Sequence, residues 1–251
     1  MQAVILAGGL GTRLWPLTSS VPKPLVPVAG VPYLEHQIRL LARQSITDIL
    51  ILTGYLGEQV EACFGDGRRL GVHIRYSREW QPLGTGGALR QARPLLADSF
   101  LVIYGDSYLP IEYAAVSRLL SAATDGAVMA VYRDASGETD VSANVALDVD
   151  GAVLRYDKRT PGADLQYVEA GVLALRRSIL DLMPPDGKVS LEEEVFPILI
   201  GRRRLLGFPT TQRFYDMGTP ERLQSIEGYL SAANTESSPH HDQCYGNSIS
   251  L

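Results

Sequence analysis

Short apolar runs, unbroken by polar residues, recur along the first half of the chain: Val4 to Leu6, Ile49 to Leu52, Phe100 to Tyr104 and Ala127 to Tyr132. A strand with one wet face alternates polar and apolar residues, whereas a strand covered on both faces does not. Between the runs lie segments of helical character. Pro32 suits the first position of a helix that places Leu34, Ile38 and Leu41 on one face. Further helices are expected at Gly57 to Phe64, Ala88 to Leu96 and Ile111 to Ala123, and Val72 to Tyr76 alternates as a further strand. This strand–helix alternation predicts an α/β fold with a Rossmann-like, mixed and mostly parallel sheet flanked by helices.

The character changes after Arg133. Asn144 to Leu147 and Val153 to Tyr156 read as a hairpin around Asp148-Val149-Asp150-Gly151. A strand is expected at Val168 to Leu175, a helix at Leu191 to Ile200, and strands at Arg204 to Phe208 and Phe214 to Met217. Thr219 is a good N-cap, Pro220 a good first helical residue and Glu221 a favourable early one, opening a last helix to about Ala233. The segment Asn234 to Leu251 is polar and reads as a flexible tail. Its His240, His241 and Cys244 are read as scattered polar residues rather than a metal cluster.

Charge narrows the function. The formal net charge is -5 over 251 residues, which disfavours nucleic acid as a partner. An anionic ligand must then be held by local cations and backbone N–H groups. The two cysteines, Cys63 and Cys244, make no disulfide framework, so a reducing compartment is expected. The chain opens on Ala3 to Leu6 without the basic and apolar regions of a signal peptide, and no apolar run reaches ~18 residues. The expectation is a cytoplasmic protein without a membrane span.

Leu6 to Pro24 carries most of the chemistry. Gly8, Gly9 and Gly11 follow a buried strand, where glycines let backbone N–H groups approach an anion closely. Arg13 adds a forked cation suited to phosphate oxygens. Lys23, held between Pro22 and Pro24, is a second cation within reach of the same group. The order Gly11-Thr12-Arg13 does not match a P-loop, and Trp15-Pro16 interrupts a dinucleotide fingerprint.

With its continuation Leu25 to Pro32, this segment resembles the signature loop of the sugar-1-phosphate nucleotidylyltransferases, the nucleoside-triphosphate transferases that make nucleotide sugars. The resemblance runs from about Met1 to Leu230. It implies a glycosyltransferase-A-like catalytic domain over residues 1–233. A nucleotide-binding half would span about 1–133, and a sugar-phosphate-binding half with a small β subdomain would span 134–233. Leu6, Ala7, Gly8, Gly9, Gly11, Thr12, Arg13 and Lys23 would hold the triphosphate. In the similar stretch Glu79 to Ala88, Gly84 and Thr85 would close over the base and Glu79 would face its edge. A carboxylate suits guanine, which offers N1–H and an amine side by side, whereas uracil offers one donor.

Asp106, after the strand Phe100 to Tyr104, stands where open α/β sheets bind ligands. The resemblance implies that it holds Mg²⁺ with Asp216 of Tyr215-Asp216-Met217-Gly218-Thr219-Pro220. Two aspartates and a triphosphate make a sensible Mg²⁺ site. Asp157, Lys158, Glu169 and Gly171, with Asn144, are similar to the sugar-phosphate pocket. Lys158 would bind the phosphate, Glu169 would accept sugar hydroxyls and Gly171 would leave room for the ring. The family's Glu-Lys-Pro is here Asp157-Lys158-Arg159, a departure in that pocket.

The implied reaction is in-line: an oxygen of the sugar 1-phosphate attacks the α-phosphorus, and pyrophosphate leaves. Arg13, Lys23, Asp106 and Asp216 would carry it by positioning and charge neutralisation. The stretches Leu83 to Ala88 and Tyr215 to Pro220 look most like heptose and mannose 1-phosphate guanylyltransferases. Pro24 to Gly30 also resembles uridylyltransferases acting on amino sugars. The lack of a β-helical pattern after the catalytic part argues against the bifunctional acetyltransferase type. Two rivals remain: a phosphocholine cytidylyltransferase, which would need a cage from aromatics such as Trp80, Tyr108 and Tyr215, and an inactive regulatory relative. A homodimer is expected from the family.

Overall fold

The computed structural model describes residues 1–123, 126–134 and 137–235. His240, His241, Cys244 and the tail beyond Thr235 lie outside the described residues.

The chain opens on β1 (Gln2–Ala7), followed by a tight pair, β2 (Pro27–Val28) and β3 (Val31–Pro32), and by α1 (Tyr33–Arg43). Pro32 ends β3 and caps α1, which begins at Tyr33 rather than at the proline, because the pairing with Pro27 keeps Pro32 extended. β4 (Asp48–Thr53), α2 (Gly57–Phe64), β5 (His73–Arg78), α3 (Gly84–Gln91) and β6 (Ser99–Tyr104) complete the first run. Then come β7 (Ser107–Tyr108), α4 (Tyr113–Ala122), β8 (Ala127–Tyr132) and the hairpin β9 (Val145–Leu147) and β10 (Val153–Tyr156). The last elements are β11 (Val168–Arg176), α5 (Phe196–Gly201), β12 (Leu205–Thr210), β13 (Tyr215–Asp216) and α6 (Pro220–Thr235).

Seven strands form one sheet in the order β12-β8-β11-β6-β1-β4-β5. Only β11 runs against the others: it is antiparallel to both β6 and β8, while the remaining ladders are parallel. The sheet is therefore mixed and mostly parallel. β11 and β12 extend the same sheet, and the β9–β10 hairpin stands apart from it.

Both faces are covered, as the unbroken apolar runs require. Along β4, Ile49 and Ile51 join a core with Leu34, Ile38 and Leu41 of α1. Leu50 and Leu52 point the other way, into a core with Leu89 of α3 and Phe196 and Leu199 of α5. Period-two geometry splits each run between the two layers. The fully buried Ile51, at 0% exposure, stabilises the fold by roughly 1.5–3 kcal/mol. Among the described residues no helix is long and apolar enough to cross a membrane.

α3 starts at Gly84, one turn before the expected Ala88. Glycine is a poor helix former, so its first turn is hidden in the sequence. Tertiary contact supplies the reason for the glycines: a Cβ on Gly84, at φ +75°, would lie 2.5 Å from the Val189 carbonyl oxygen. That carbonyl accepts from Gly86 N at 2.9 Å and Gly87 N at 3.1 Å, satisfying two of the helix's orphan donors.

Candidate active site

β1, β4 and β6 are parallel neighbours, so their carboxyl ends share one edge of the sheet. The loop after Ala7 crosses that edge above a cavity of about 500 Å³. Leu6, Ala7, Gly8, Gly9, Gly11, Thr12, Arg13, Lys23, Glu79, Gly84, Thr85 and Asp106 all line it. The structure thus brings together every residue expected on the nucleotide side.

Two glycines have steric reasons. Gly11 takes φ +66°, and a Cβ there would meet Lys23 Cβ and Thr18 Cγ2 at 3.1 Å. Thr18 Oγ1 donates to the Gly11 carbonyl at 2.8 Å, tying the loop to the segment that carries Lys23. A Cβ on Gly8 would meet Glu79 Oε1 at 2.6 Å, so Gly8 opens the slot in which the Glu79 carboxylate lies. Glu79 Oε2 accepts from Leu83 N at 3.0 Å. Burial pushes its carboxyl above the ordinary value, partly opposed by that bond and by Lys188.

Lys23 Nζ donates to Asp106 Oδ2 at 2.7 Å. Burial disfavours the charged form of Asp106, but Lys23, then Arg13 and Lys158, outweigh it and hold the carboxyl below its usual range. The turn carrying Asp106 is clamped from α1: Gln37 Nε2 donates to Tyr104 O at 2.8 Å and to Ser107 O at 2.6 Å.

Asp216 reaches the same region through backbone pairing. β13 and β7 place Asp216 opposite Ser107, and Met217 N donates to Asp106 O at 3.1 Å. Arg222 Nη1 lies 3.3 Å from Asp216 Oδ2, and Gly218 N donates to Oδ1 at 2.6 Å. A Cβ on Gly218 would sit 3.3 Å from Arg13 Nη1, so Arg13 abuts this turn. Asp216 borders a second cavity of about 180 Å³, with Arg213 and Arg222, rather than the main one. The fully buried Tyr33 hydroxyl has no partner; burial, then Asp106, then Asp216 keep it un-ionised, which puts both aspartates within its field.

Among the described residues no group of three or more His, Cys, Asp or Glu could hold a metal unaided. Mg²⁺ takes one or two carboxylates and completes its shell with phosphate oxygens and water. Asp106 and Asp216, on turn and strand joined by the Met217 N–Asp106 O bond, are the two carboxylates that would supply that demand.

Near enough to act on the charge of Asp106, Lys158 Nζ donates to Glu169 Oε2 at 3.2 Å. It sits 5.5 Å from the Tyr156 ring centroid and 5.9 Å from that of Tyr104. Burial opposes its charge, but Glu169 and Glu192 raise its pKa overall. Burial, with Glu192 adding to it, raises the Glu169 carboxyl despite Lys158. Asn144 Oδ1 accepts from Glu169 N at 2.9 Å, so Asn144 seats Glu169.

Two expectations in this pocket need correction. The room left by Gly171 is not open: a Cβ there would lie 2.3 Å from Ser107 Cβ, at φ +77°. The glycine admits Ser107, not a ring. Asp157 does not face the pocket either. Its oxygens accept from Arg159 N and Thr160 N at 2.8 Å and from Arg155 Nη2 at 2.9 Å, closing its own turn. Arg155 first, then the two amides, hold its carboxyl far below the ordinary range.

Three polar side chains beyond those expected also line the cavity: Tyr104, Lys188 and Glu192. Glu192 opens the run Glu192-Glu193-Glu194, which looks like a solvated face, and Lys188 sits in an unremarkable Gly187-Lys188 turn. Only the position of Tyr104, two before Asp106 on a strand end, offered a signal. The aromatic cage does not form. Tyr108 and Tyr215 both pack on Tyr229, at 6.2 and 4.4 Å between centroids, but Tyr108 is buried. Trp80, 84% exposed, stands instead with the Arg78 guanidinium 4.7 Å from its ring centroid.

Several known proteins are similar to this chain. The family model described as nucleotidyl transferase matches residues 2–227. A mannose-1-phosphate guanylyltransferase of Mycobacterium tuberculosis is 34% identical over 88% of this chain and 62% of its own. A UTP–glucose-1-phosphate uridylyltransferase of Synechocystis is 28% identical over 92% of this chain and 64% of its own. This chain therefore spans somewhat less than two thirds of the length of these relatives. The crystal structure of HddC from Yersinia pseudotuberculosis complexed with GMP-PN superposes with a TM-score of 0.76 at 25% identity, covering 91% of this chain and 99% of that one.

Proposed function

The chain belongs to the nucleotidyl transferase family, and on that premise we propose that it joins a nucleoside triphosphate, GTP by preference, to a sugar 1-phosphate of the mannose or heptose type. The products are a nucleotide sugar and pyrophosphate. The observation that carries the reading is the Lys23–Asp106 pair, 2.7 Å long, which lines the glycine-loop cavity while the charge of Lys158 also acts on Asp106. A donor phosphate chain and an acceptor phosphate would meet there.

An oxygen of the acceptor phosphate attacks the α-phosphorus of the donor, and the bond to pyrophosphate breaks. The attacking oxygen is already anionic, so the enzyme need not supply a base. Its task is to bring two anions together. Loop amides and Arg13 take the outer phosphates. Lys23 stands where charge gathers around the α-phosphate. Lys158, kept charged by Glu169 and Glu192, draws in the acceptor phosphate. Asp106 and Asp216 would hold Mg²⁺, which when bound neutralises phosphate charge.

Preference for GTP rests on Glu79, an acceptor at the rim of the cavity, and agrees with the guanylyltransferase relatives. The uridylyltransferase relative keeps UTP as the alternative donor. Mannose, heptose and glucose 1-phosphates should be offered with GTP, UTP, CTP, dTTP and ATP in Mg²⁺, with pyrophosphate as the readout. Release that requires both partners and is lost in Asp106→Asn supports the proposal. Protein that binds a nucleotide sugar yet releases nothing with any pair would instead be a regulatory relative.

A further inference from the structure

The three glutamates at 192–194 follow one another, yet they point to three different tasks. They lie in a π-helical turn, Leu191–Val195, a rare geometry that recurs at functional sites. Glu193 pairs outward with Arg159, and Glu194 caps Ser190 N at 2.9 Å. Glu192 alone turns into the cavity. Its Oε1 accepts from the Tyr104 hydroxyl at 2.6 Å, and its Oε2 accepts from Thr85 Oγ1 at 2.7 Å and Ser190 Oγ at 2.9 Å. Burial works against its charge, but the bonds from Tyr104 and Thr85 hold the carboxyl below its ordinary value.

The two main partners belong to different substrate seats. Thr85 lies in the first turn of α3, beside the slot that holds Glu79, and its hydroxyl also accepts from Leu191 N at 2.9 Å. Tyr104 ends β6 and puts its ring 5.9 Å from the Lys158 ammonium. A carboxylate that fixes both hydroxyls sets the distance between the nucleotide seat and the acceptor-phosphate seat. A charged acceptor holds such donors about twice as strongly as a neutral one.

We infer that Glu192 is a positioning residue that couples the nucleotide seat, through Thr85, to the acceptor-phosphate seat, through Tyr104. The inference rests on the nucleotidyl-transfer reading and adds to it a residue that touches neither reacting atom. Steady-state kinetics on the full chain test it, with GTP and mannose 1-phosphate or whichever pair gives the highest turnover. Glu192→Gln should raise both Michaelis constants about 10-fold while kcat changes less. Thr85→Val should raise the constant for the nucleotide alone, and Tyr104→Phe that for the sugar phosphate alone. These single-arm variants keep the test open should Glu192→Gln fold poorly. Unchanged Michaelis constants in Glu192→Gln, with any loss confined to kcat or to the folded fraction, would overturn the coupling. So would a rise in only one constant, or single-arm variants that each raise both. Wild-type protein that turns over no pair would overturn the transfer reading itself, and the coupling with it.

Discussion

Lys23 and Asp106 meet at 2.7 Å across the carboxyl edge of the sheet, with side chains 12% and 32% exposed. Lys23 comes from the loop that Gly11 and Thr18 tie down, and Asp106 from the turn that Gln37 clamps. The pair is therefore fixed from both sides before any ligand arrives. Lys23→Met should lower kcat/KM about 100-fold or more, as at other sites where a donor to developing charge is removed. Because water still reaches Asp106, the thermal midpoint should shift little. A large fall in midpoint with near-normal specific activity of the folded fraction would show the pair to be structural.

On the proposed reading, Lys158 serves the sugar phosphate alone. Lys158→Met should raise the Michaelis constant for the sugar phosphate by about 10-fold or more and leave that for the nucleotide unchanged. Burial disfavours its charge, but Glu169 and Glu192 more than offset that and raise its pKa. The ammonium therefore persists above the ordinary lysine range. A pH profile of kcat/KM for the sugar phosphate should show no loss assignable to Lys158 until pH passes that range.

Glu79 gives the opposite limb. Burial raises its carboxyl, so it takes up a proton at higher pH than an ordinary glutamate. A protonated carboxyl accepts poorly from guanine N1–H and the amine. The Michaelis constant for GTP should rise as pH falls through that raised value. Glu79→Gln should weaken GTP use at neutral pH and abolish this acid limb. An unaltered acid limb in Glu79→Gln would remove Glu79 from base recognition.

Gly171→Ala tests packing rather than chemistry. The residue is left-handed at φ +77°, where the β11 ladder shifts register between Glu169 and Leu173, and its Cβ would strike Ser107 at 2.3 Å. Strain and overpacking together should cost about 1–3 kcal/mol of stability. Denaturant unfolding would read it directly. No loss would mean that the β7 segment gives way easily.

What was legible in the sequence follows from what is local. The strand Ala127–Tyr132 and the helix Gly57–Phe64 have the bounds their apolar patterns predict, because burial on two faces or one leaves a periodic trace. The glycine loop was readable because its glycines and cations lie within one short segment. What escaped depends on partners distant in sequence. The start of α3 is set by Val189, the reversed direction of β11 by its two neighbours, and the inward turn of Glu192 by Tyr104 and Thr85. Asp157 misled because a carboxylate beside a lysine looks like a ligand, whereas here it closes an Asx-type turn.

The most direct test follows both products of one reaction. GTP, mannose 1-phosphate and Mg²⁺ would be incubated with the protein, and the phosphorus-containing products resolved by ³¹P NMR and mass spectrometry. The prediction is a GMP unit joined to the sugar phosphate, one pyrophosphate for each nucleotide sugar, and neither product without the acceptor. If GTP and every other triphosphate offered were only hydrolysed, or stayed intact whatever sugar phosphate was present, nucleotidyl transfer would not be this protein's reaction.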